Sequence, residues 1–416
     1  MSRRLTRRDF LQITGASVAG AAVLGSAGCV FGSGQGGGSG AATTIRIGRI
    51  PAAQAMIPIT EVMRAEGLIE QAGEELGLDI AAEWQDFPQG GAVRQALTSG
   101  QLDLGTVGNT PTLIGIAQNE PIRILSMAEG RVKFVVAMPA DSSIRTPEDL
   151  QDKRVGLIQA SDLQFFFDQT INSLFGTTSY DELGIEVVGL ETLSQTASPP
   201  GGIDAVVATE TSYLRGQLDG LLTGLLNSYG STEEHYDGPL GEGAGIQLPA
   251  VQGSPYYPEG FYLHRNFWLV TETMADETPD AVVAFLIAEQ RAVERLQDMD
   301  PTEVAALAQG QEYWNLDPEV GRQIWLNDLI HLRGWPWLTR GDLRAVVDQS
   351  ELAAQSDLIE SPLSWGQVKE NISPIAPLAQ QAWETIGYPE ESVFTATDTA
   401  DIRGLPVWQY EEWETA

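Results

Sequence analysis

Apolar and polar residues alternate over residues 44–50 (TIRIGRI) and again over 78–87, the period of two expected of half-buried strands. Between and after these runs the spacing changes to three and four, which predicts a short or broken helix over residues 57–68. A second helix is predicted over 90–99, with Val93, Ala96 and Leu97 on one face. Residues 100–124 (GQLDLGTVGNTPTLIGIAQNEPIRI) hold a buried strand, 102–107, a turn at Gly108-Asn109 and a helix, 111–118. Thr110 is suited to the N-cap of that helix and Pro111 to its first position, where a missing N–H costs nothing. Two further strands follow, 122–127 and 132–138. Alternating strands and helices predict a mostly parallel sheet covered on both sides. In such sheets ligands sit at the carboxyl ends of strands, here the loops 51–56 and 108–110.

Residues 139–143 look like a crossing between lobes. Beyond it a capped helical turn (144–150), a strand (154–158), a helix capped by Ser161 (163–175) and strands at 185–190 and 203–208 repeat the α/β alternation, which predicts a second small sheet. Its strand ends present Ser161-Asp162 and Thr209-Glu210. A helix is expected over 213–226 and a long loop over 228–254. From residue 278 onward the pattern is helical: 280–296, 301–309, 318–332, 342–355, then 363–387 interrupted by Pro374 and Pro377. The expected domains are 44–138 (first lobe), 139–250 (second lobe), 251–362 (return to the first lobe) and 363–416 (helical extension and acidic, aromatic tail).

Charge changes the picture of the surface. The 416 residues carry 57 acids against 24 bases, a formal net charge of −33, and the only lysines are Lys133, Lys153 and Lys369. Such a surface repels nucleic acid and anionic lipid. Its self-repulsion largely disappears in molar salt, where the Debye length falls to about 3 Å, so the acidity describes the solvent of an extreme halophile. The N-terminal segment is an address. Thr6-Arg7-Arg8-Asp9-Phe10-Leu11-Gln12 matches the twin-arginine export pattern, and a small-residue apolar run, too short to span a bilayer, ends in Ser26-Ala27-Gly28-Cys29. Cys29 is the only cysteine, so an internal disulfide is impossible and lipidation is the expected fate of the thiol. The signal occupies residues 1–29, and the Gly/Ser-rich residues 30–43 form a tether that reaches roughly 20 Å.

The order of several motifs resembles the solute-binding proteins of ABC importers of the aliphatic-sulfonate, taurine and nitrate type. The residues that carry the likeness are 91–105 (GAVRQALTSGQLDLG), Gly108-Asn109-Thr110-Pro111, 149–156, 261–265 with 279–286, and 352–357 (LAAQSD). The resemblance implies a two-lobed, periplasmic-binding-protein-like type II α/β fold with a helical C-terminal part, exported as a lipoprotein of a halophilic archaeon. It implies a small-molecule solute and an ABC permease as partners, no cofactor and a monomer. It places ligand contacts at Gln54 in the first lobe, at Asn109 and Thr110 on a helix N-terminus, and at Ser161, Asp162, Thr209 and Glu210 in the second. The chain departs from the family at Asp162 and Thr209. Two carboxylates beside an anion site suit an amine-bearing or zwitterionic solute, with Arg131 or backbone N–H groups at its acidic end. The expected catalytic content is nil: His235, His264 and His331 lack metal-ligand spacing, His264 looks like a core histidine inside a strand, and no nucleophile motif is present. Enzymes on this fold, such as sulfinate desulfinases, remain the alternative, although their cysteine nucleophile has no counterpart, and a sensor ectodomain is a third reading. The late tryptophans are expected to pack rather than to cage a ligand, and Asn371-Ile372-Ser373 is a glycosylation sequon.

Overall fold

Strands buried on both faces form the centre of each of two sheets. The computed structural model describes residues 42–51, 56–228, 246–247, 264–310, 321–322, 325, 336–387 and 406–412. The first sheet has the order β2-β1-β3-β11-β4, with β1 at Thr43–Arg49, β2 at Ile80–Asp86, β3 at Leu104–Gly108, β4 at Ile122–Val132 and β11 at His264–Thr271. β1 pairs in parallel with β2 and β3, whereas β11 runs antiparallel to β3 and β4. β3 and β11 are buried at every position, as a strand between two helical layers must be.

The helices of this half are α1 (Met56–Glu66), α2 (Leu68–Glu75), α3 (Gly90–Thr98) and α4 (Asn109–Ala117). α4 begins two residues before the predicted start: its N-cap is Gly108, with no side-chain cap, and Thr110 lies inside the first turn with its N–H still unpaired within the helix. β4 is one long strand rather than the end of one and the start of another. β11 pairs Asn266 with Glu129 and His264 with Val132, so Gly130 falls in a bulge instead of a turn.

The chain changes sheets at Lys133, earlier than the predicted crossing. Val132 pairs with His264 in the first sheet, and Phe134, the first residue of β5 (Phe134–Pro139), pairs with Thr209 in the second. The second sheet has the order β10-β9-β5-β8-β6-β7, comprising β6 (Arg154–Leu157), β7 (Glu186–Gly189), β8 (Ala205–Thr209), β9 (Leu222–Asn227) and β10 (Ile246–Gln247). Around it lie α5 (Asp162–Phe175), the short α6 (Ser194–Ala197) and α7 (Glu210–Leu218). The single helix expected over 213–226 is thus a helix and a strand. Gly220, at φ 71°, ends the helix with Leu221 N–H returning to Gly216 O at 2.8 Å. Leu222, Leu225 and Leu226 then enter the core.

After β11 the chain is helical where it is described: α8 (Glu272–Glu277), α9 (Pro279–Asp298), α10 (Pro301–Ala308), α11 (Arg340–Gln355), α12 (Trp365–Ile372) and α13 (Ala376–Ile386). α9 packs on α1 and α2 with one long buried face. The tail segment at Val407–Glu412 attaches to this half: Val407 N–H donates to Leu338 O at 2.9 Å, and Trp408 packs against Trp337 and Trp383. These late tryptophans are packing residues. The helix expected at 318–332, the loop at 228–254, the signal, Cys29 and the tether lie mostly or wholly outside the described residues.

Asn371 carries the edge of the first sheet. β4 is the last strand of its order, and the Asn371 amide on α12 acts as a missing neighbour, accepting from Ile124 N–H at 2.9 Å and donating to Ile122 O at 2.8 Å. Its side chain is buried and both amide atoms are engaged, so the sequon is not a glycan acceptor in the folded protein. Replacing Asn371 by Ala strands two buried backbone groups, and the expected loss is about 1–3 kcal/mol, read from the denaturant midpoint.

Asp168 on α5 generates a pH-dependent term. Burial raises its carboxyl to about 7 from an ordinary 3.8, opposed by the hydroxyl of Tyr180, which donates to Oδ1. The folded state therefore holds a proton that the unfolded chain releases. This contribution is complete below the ordinary carboxylate range and is lost as pH rises towards and through 7, by up to about 1.4 kcal/mol per pH unit. The Asp168→Asn protein should lose that slope between pH 5 and 8, and melting temperatures across that range check it.

Candidate functional site

The N-termini of α3 and α4 in the first half and of α5 and α7 in the second converge on one cleft. It is lined by Gln89, Gly90, Gly108 and Pro111 from the first half and by Ser161, Asp162, Leu163 and Thr209 from the second, with Val132, Phe134 and Asn266 where strands pass between the halves. The cavity in this cleft is ≈ 60 Å³. At roughly 10–15 Å³ per water-sized group it admits about four to six such groups. Helix starts supply unpaired N–H groups and about half a positive charge each, so the polar character of the cleft comes mainly from backbone, set among Ile50, Ile158 and Leu193.

Each cap is built locally. Gln89 accepts from Gly91 N–H at 2.5 Å and opens α3. Ser161 caps α5, accepting from Leu163 N–H at 3.2 Å while its hydroxyl donates to Ile158 O at 2.6 Å. Thr209 caps α7, its Oγ1 accepting from Ser212 N–H at 3.4 Å.

A backbone-to-carboxylate hydrogen bond joins the two helix starts across the cleft. Thr110 N–H, on α4, donates to Asp162 Oδ1, at the first position of α5, at 2.6 Å. The Asp162 carboxylate lies against Gly108 so closely that a Cβ there would fall 1.5 Å from Oδ2. Only glycine leaves room for that approach. Asp162 therefore occupies the place at the α4 N-terminus where an oxyanion would otherwise bind. A second full negative charge about 4 Å away would meet about 4 kcal/mol of repulsion at an effective dielectric of about 20.

Glu210 is differently placed. It is 2% exposed and forms an ion pair with Lys133, itself 1% exposed, at 2.6 Å. Glu210 N–H also donates to Lys133 O at 2.9 Å. Their meeting offsets the cost of taking both charges out of water, so the pair serves the crossing between sheets, and among the described residues Asp162 is the carboxylate of the cleft lining. Asn109 is likewise committed inside the first half: Nδ2 donates to Gln349 Oε1 at 2.7 Å, and Oδ1 accepts from Arg265 N–H at 3.2 Å. Its side chain fixes the start of α4 to β11 and α11. Gln54 lies outside the described residues, and Arg131 is known only as a backbone position in β4.

The structure brings Thr110, Ser161, Asp162 and Thr209 together. Sequence reasoning missed Gln89, Gly90, Phe134 and Asn266 as lining residues. Gln89, immediately before the Gly-Gly that opens α3, was a recoverable signal, being a polar residue at a helix start. His264, the buried histidine of β11, also belongs here: its ring meets Phe134 edge-on at 4.7 Å and Phe165 at 5.4 Å between centroids, and Nδ1 is 3.9 Å from Asp162 Oδ1. Among the described residues there is no cluster of His, Cys, Asp and Glu able to hold a metal ion.

Comparisons with known proteins agree with this architecture. The taurine-binding periplasmic protein of Escherichia coli K12 is 29% identical over 75 residues, spanning 18% of this chain and 23% of that protein, so the chain matches about a quarter of the curated relative's length. Among solved structures, the alkanesulfonate-binding protein SsuA from Xanthomonas axonopodis pv. citri, bound to MOPS, is similar with a TM-score of 0.55 at 20% identity, over 77% of this chain and 96% of that one. The periplasmic nitrate-binding protein NrtA from Synechocystis PCC 6803 is similar with a TM-score of 0.60 at 10% identity, over 90% of this chain and 98% of that one. At these identities the structural likeness establishes the periplasmic-binding-protein-like fold. The model of one family matches residues 74–303, more than half of the sequence, and the chain belongs to that family, the NMT1/THI5-like proteins.

Proposed function

We propose that this protein is the extracellular receptor of an ABC importer, which captures a small polar solute of the size of a sulfonate, nitrate or taurine between two lobes and delivers it to a membrane permease. The observation that carries the reading is the meeting of helix N-termini from both halves on one small cavity, bridged by the Thr110–Asp162 hydrogen bond. A cleft of that kind binds by closing, because expelling water strengthens every polar contact inside it. The sulfonate-, taurine- and nitrate-binding names of the similar proteins support the same class of solute. The reading involves no reaction: the sole cysteine, Cys29, falls in the segment read as the export signal, so the cysteine nucleophile of the sulfinate desulfinases has no counterpart in the cleft.

The receptor is exported by the twin-arginine route, anchored at the outer membrane face through a lipid on Cys29, and works as a monomer on the tether 30–43. Its acidity fits the molar salt of a halophilic archaeon. Replacing Cys29 by Ala should release the folded protein into the medium, scored by immunoblot of cells against supernatant.

Melting temperatures in molar salt, measured against sulfonates, nitrate, taurine, amino acids and small amines, test the receptor reading. At least one class should raise the melting temperature by several degrees, and a flat response to the whole panel overturns the assignment. Gly108→Val puts a side chain where the Asp162 carboxylate sits, so the bridge must break. The expected result is an increased radius of gyration by small-angle scattering and at least a tenfold loss of affinity for any solute that stabilises the parent protein.

A further inference from the structure

We propose that Asp162 determines the specificity of the cleft: its carboxylate fills the oxyanion position at the α4 N-terminus, so the closed receptor rejects bare sulfonates and nitrate and accepts a solute that presents an N–H donor. This rests on the receptor reading and narrows its ligand class.

Three features carry it. Thr110 N–H already has its anionic partner at 2.6 Å, supplied by the opposite half of the molecule. Gly108 offers no side chain to hold that carboxylate away, and Oδ2 packs onto its backbone. A ligand oxyanion at the same helix start would therefore meet a fixed like charge rather than an empty pole. The remaining Asp162 capacity is acceptor capacity, since an ionised carboxylate has about four lone-pair sites and donates nothing.

The third feature points to what fills that capacity. His264 is 2% exposed, and neither ring nitrogen has a hydrogen-bond partner among the described residues. Edge contacts with Phe134 and Phe165 hold the ring, and Nδ1 faces Asp162 Oδ1 from 3.9 Å, beyond hydrogen-bond length. Imidazole always carries at least one N–H, and a buried polar group left without a partner is costly. An amine, amide or amidine head in the cavity would donate to the carboxylate that the buried imidazole leaves unbonded from its own side, whereas a sulfonate there would oppose Asp162. Glu210 pairs with Lys133 and is not among the residues that line the cavity, so Asp162 is the carboxylate that such a head would meet.

Calorimetric titration of the full chain, as wild type, Asp162→Asn and Asp162→Ser at constant chloride, tests this with ethanesulfonate and nitrate as oxyanion probes and acetamidinium as the donor probe. Asp162→Ser should bind ethanesulfonate at least a hundredfold more tightly than wild type, with Asp162→Asn between them. Acetamidinium should bind wild type and lose at least tenfold in Asp162→Ser. Asp162→Asn keeps the shape and an acceptor for Thr110, so an intermediate result there separates charge from misfolding, which melting curves of each variant also monitor. Wild type that binds ethanesulfonate as tightly as Asp162→Ser overturns the proposal and leaves the receptor reading intact. Oxyanion probes that bind no variant overturn it as well, because the α4 N-terminus is then not an anion site. An acetamidinium response that is absent, or unchanged in Asp162→Ser, overturns the donor half.

Discussion

Helix N-termini that face one another across a cleft repel unless negative charge lies between them, and here the protein supplies that charge itself. The Asp162 carboxylate stands at the start of α5 and accepts from the first turn of α4, so it answers two positive poles at once. The geometry of the cleft follows from this contact: Gly108 must lack a side chain, Ser161 must cap α5 so that Asp162 is presented at its first position, and α4 must begin early enough to leave the Thr110 N–H without an acceptor inside the helix. In a chain with formal net charge −33, the placement of one acid matters more than their number. The other carboxylate expected in the cleft, Glu210, is cancelled by one of only three lysines.

Much of the fold was legible because its signals are local. Alternation over β1 and β2, the three- and four-residue spacing of α3, and Ser161 before an apolar run each report on a few neighbouring residues. The two-lobed α/β class and the helical C-terminal part followed from the order of these elements. Where the reading went astray, a distant partner decided the matter. Residues 122–138 divide at Lys133 because β11 pairs with one side and β8 with the other. The leucines of β9 look helical in isolation, and only the left-handed turn at Gly220 and the adjacent β5 make them a strand.

The cleft was legible in outline and not in its division of labour. Thr110, Ser161, Asp162 and Thr209 lie at strand ends and helix starts, positions that sequence pattern locates. That Asn109 turns inward could not be read from its neighbours, since its partners are 156 and 240 residues away. The same holds for Glu210, whose charge is answered by Lys133 at the crossing between the sheets, and for His264, whose meaning depends on two phenylalanines of the other half. Asn109 also ties the cleft to the C-terminal helices through Gln349 on α11, so those helices support the binding surface without lining it.

The position of β11 also governs how the molecule is made. The strand lies between β3 and β4, yet its residues are synthesised only after all of the described second sheet. Until residue 271 has left the ribosome, β3 and β4 have no strand to join them, and the outer edge of β4 waits still longer, for Asn371. The second sheet needs neither, since its strands are complete before β11 begins. Folding during synthesis therefore has an order, with the later lobe finished first, and a nascent chain stalled between residues 132 and 264 carries an unzipped first sheet whose bare strand edges other chains can pair with.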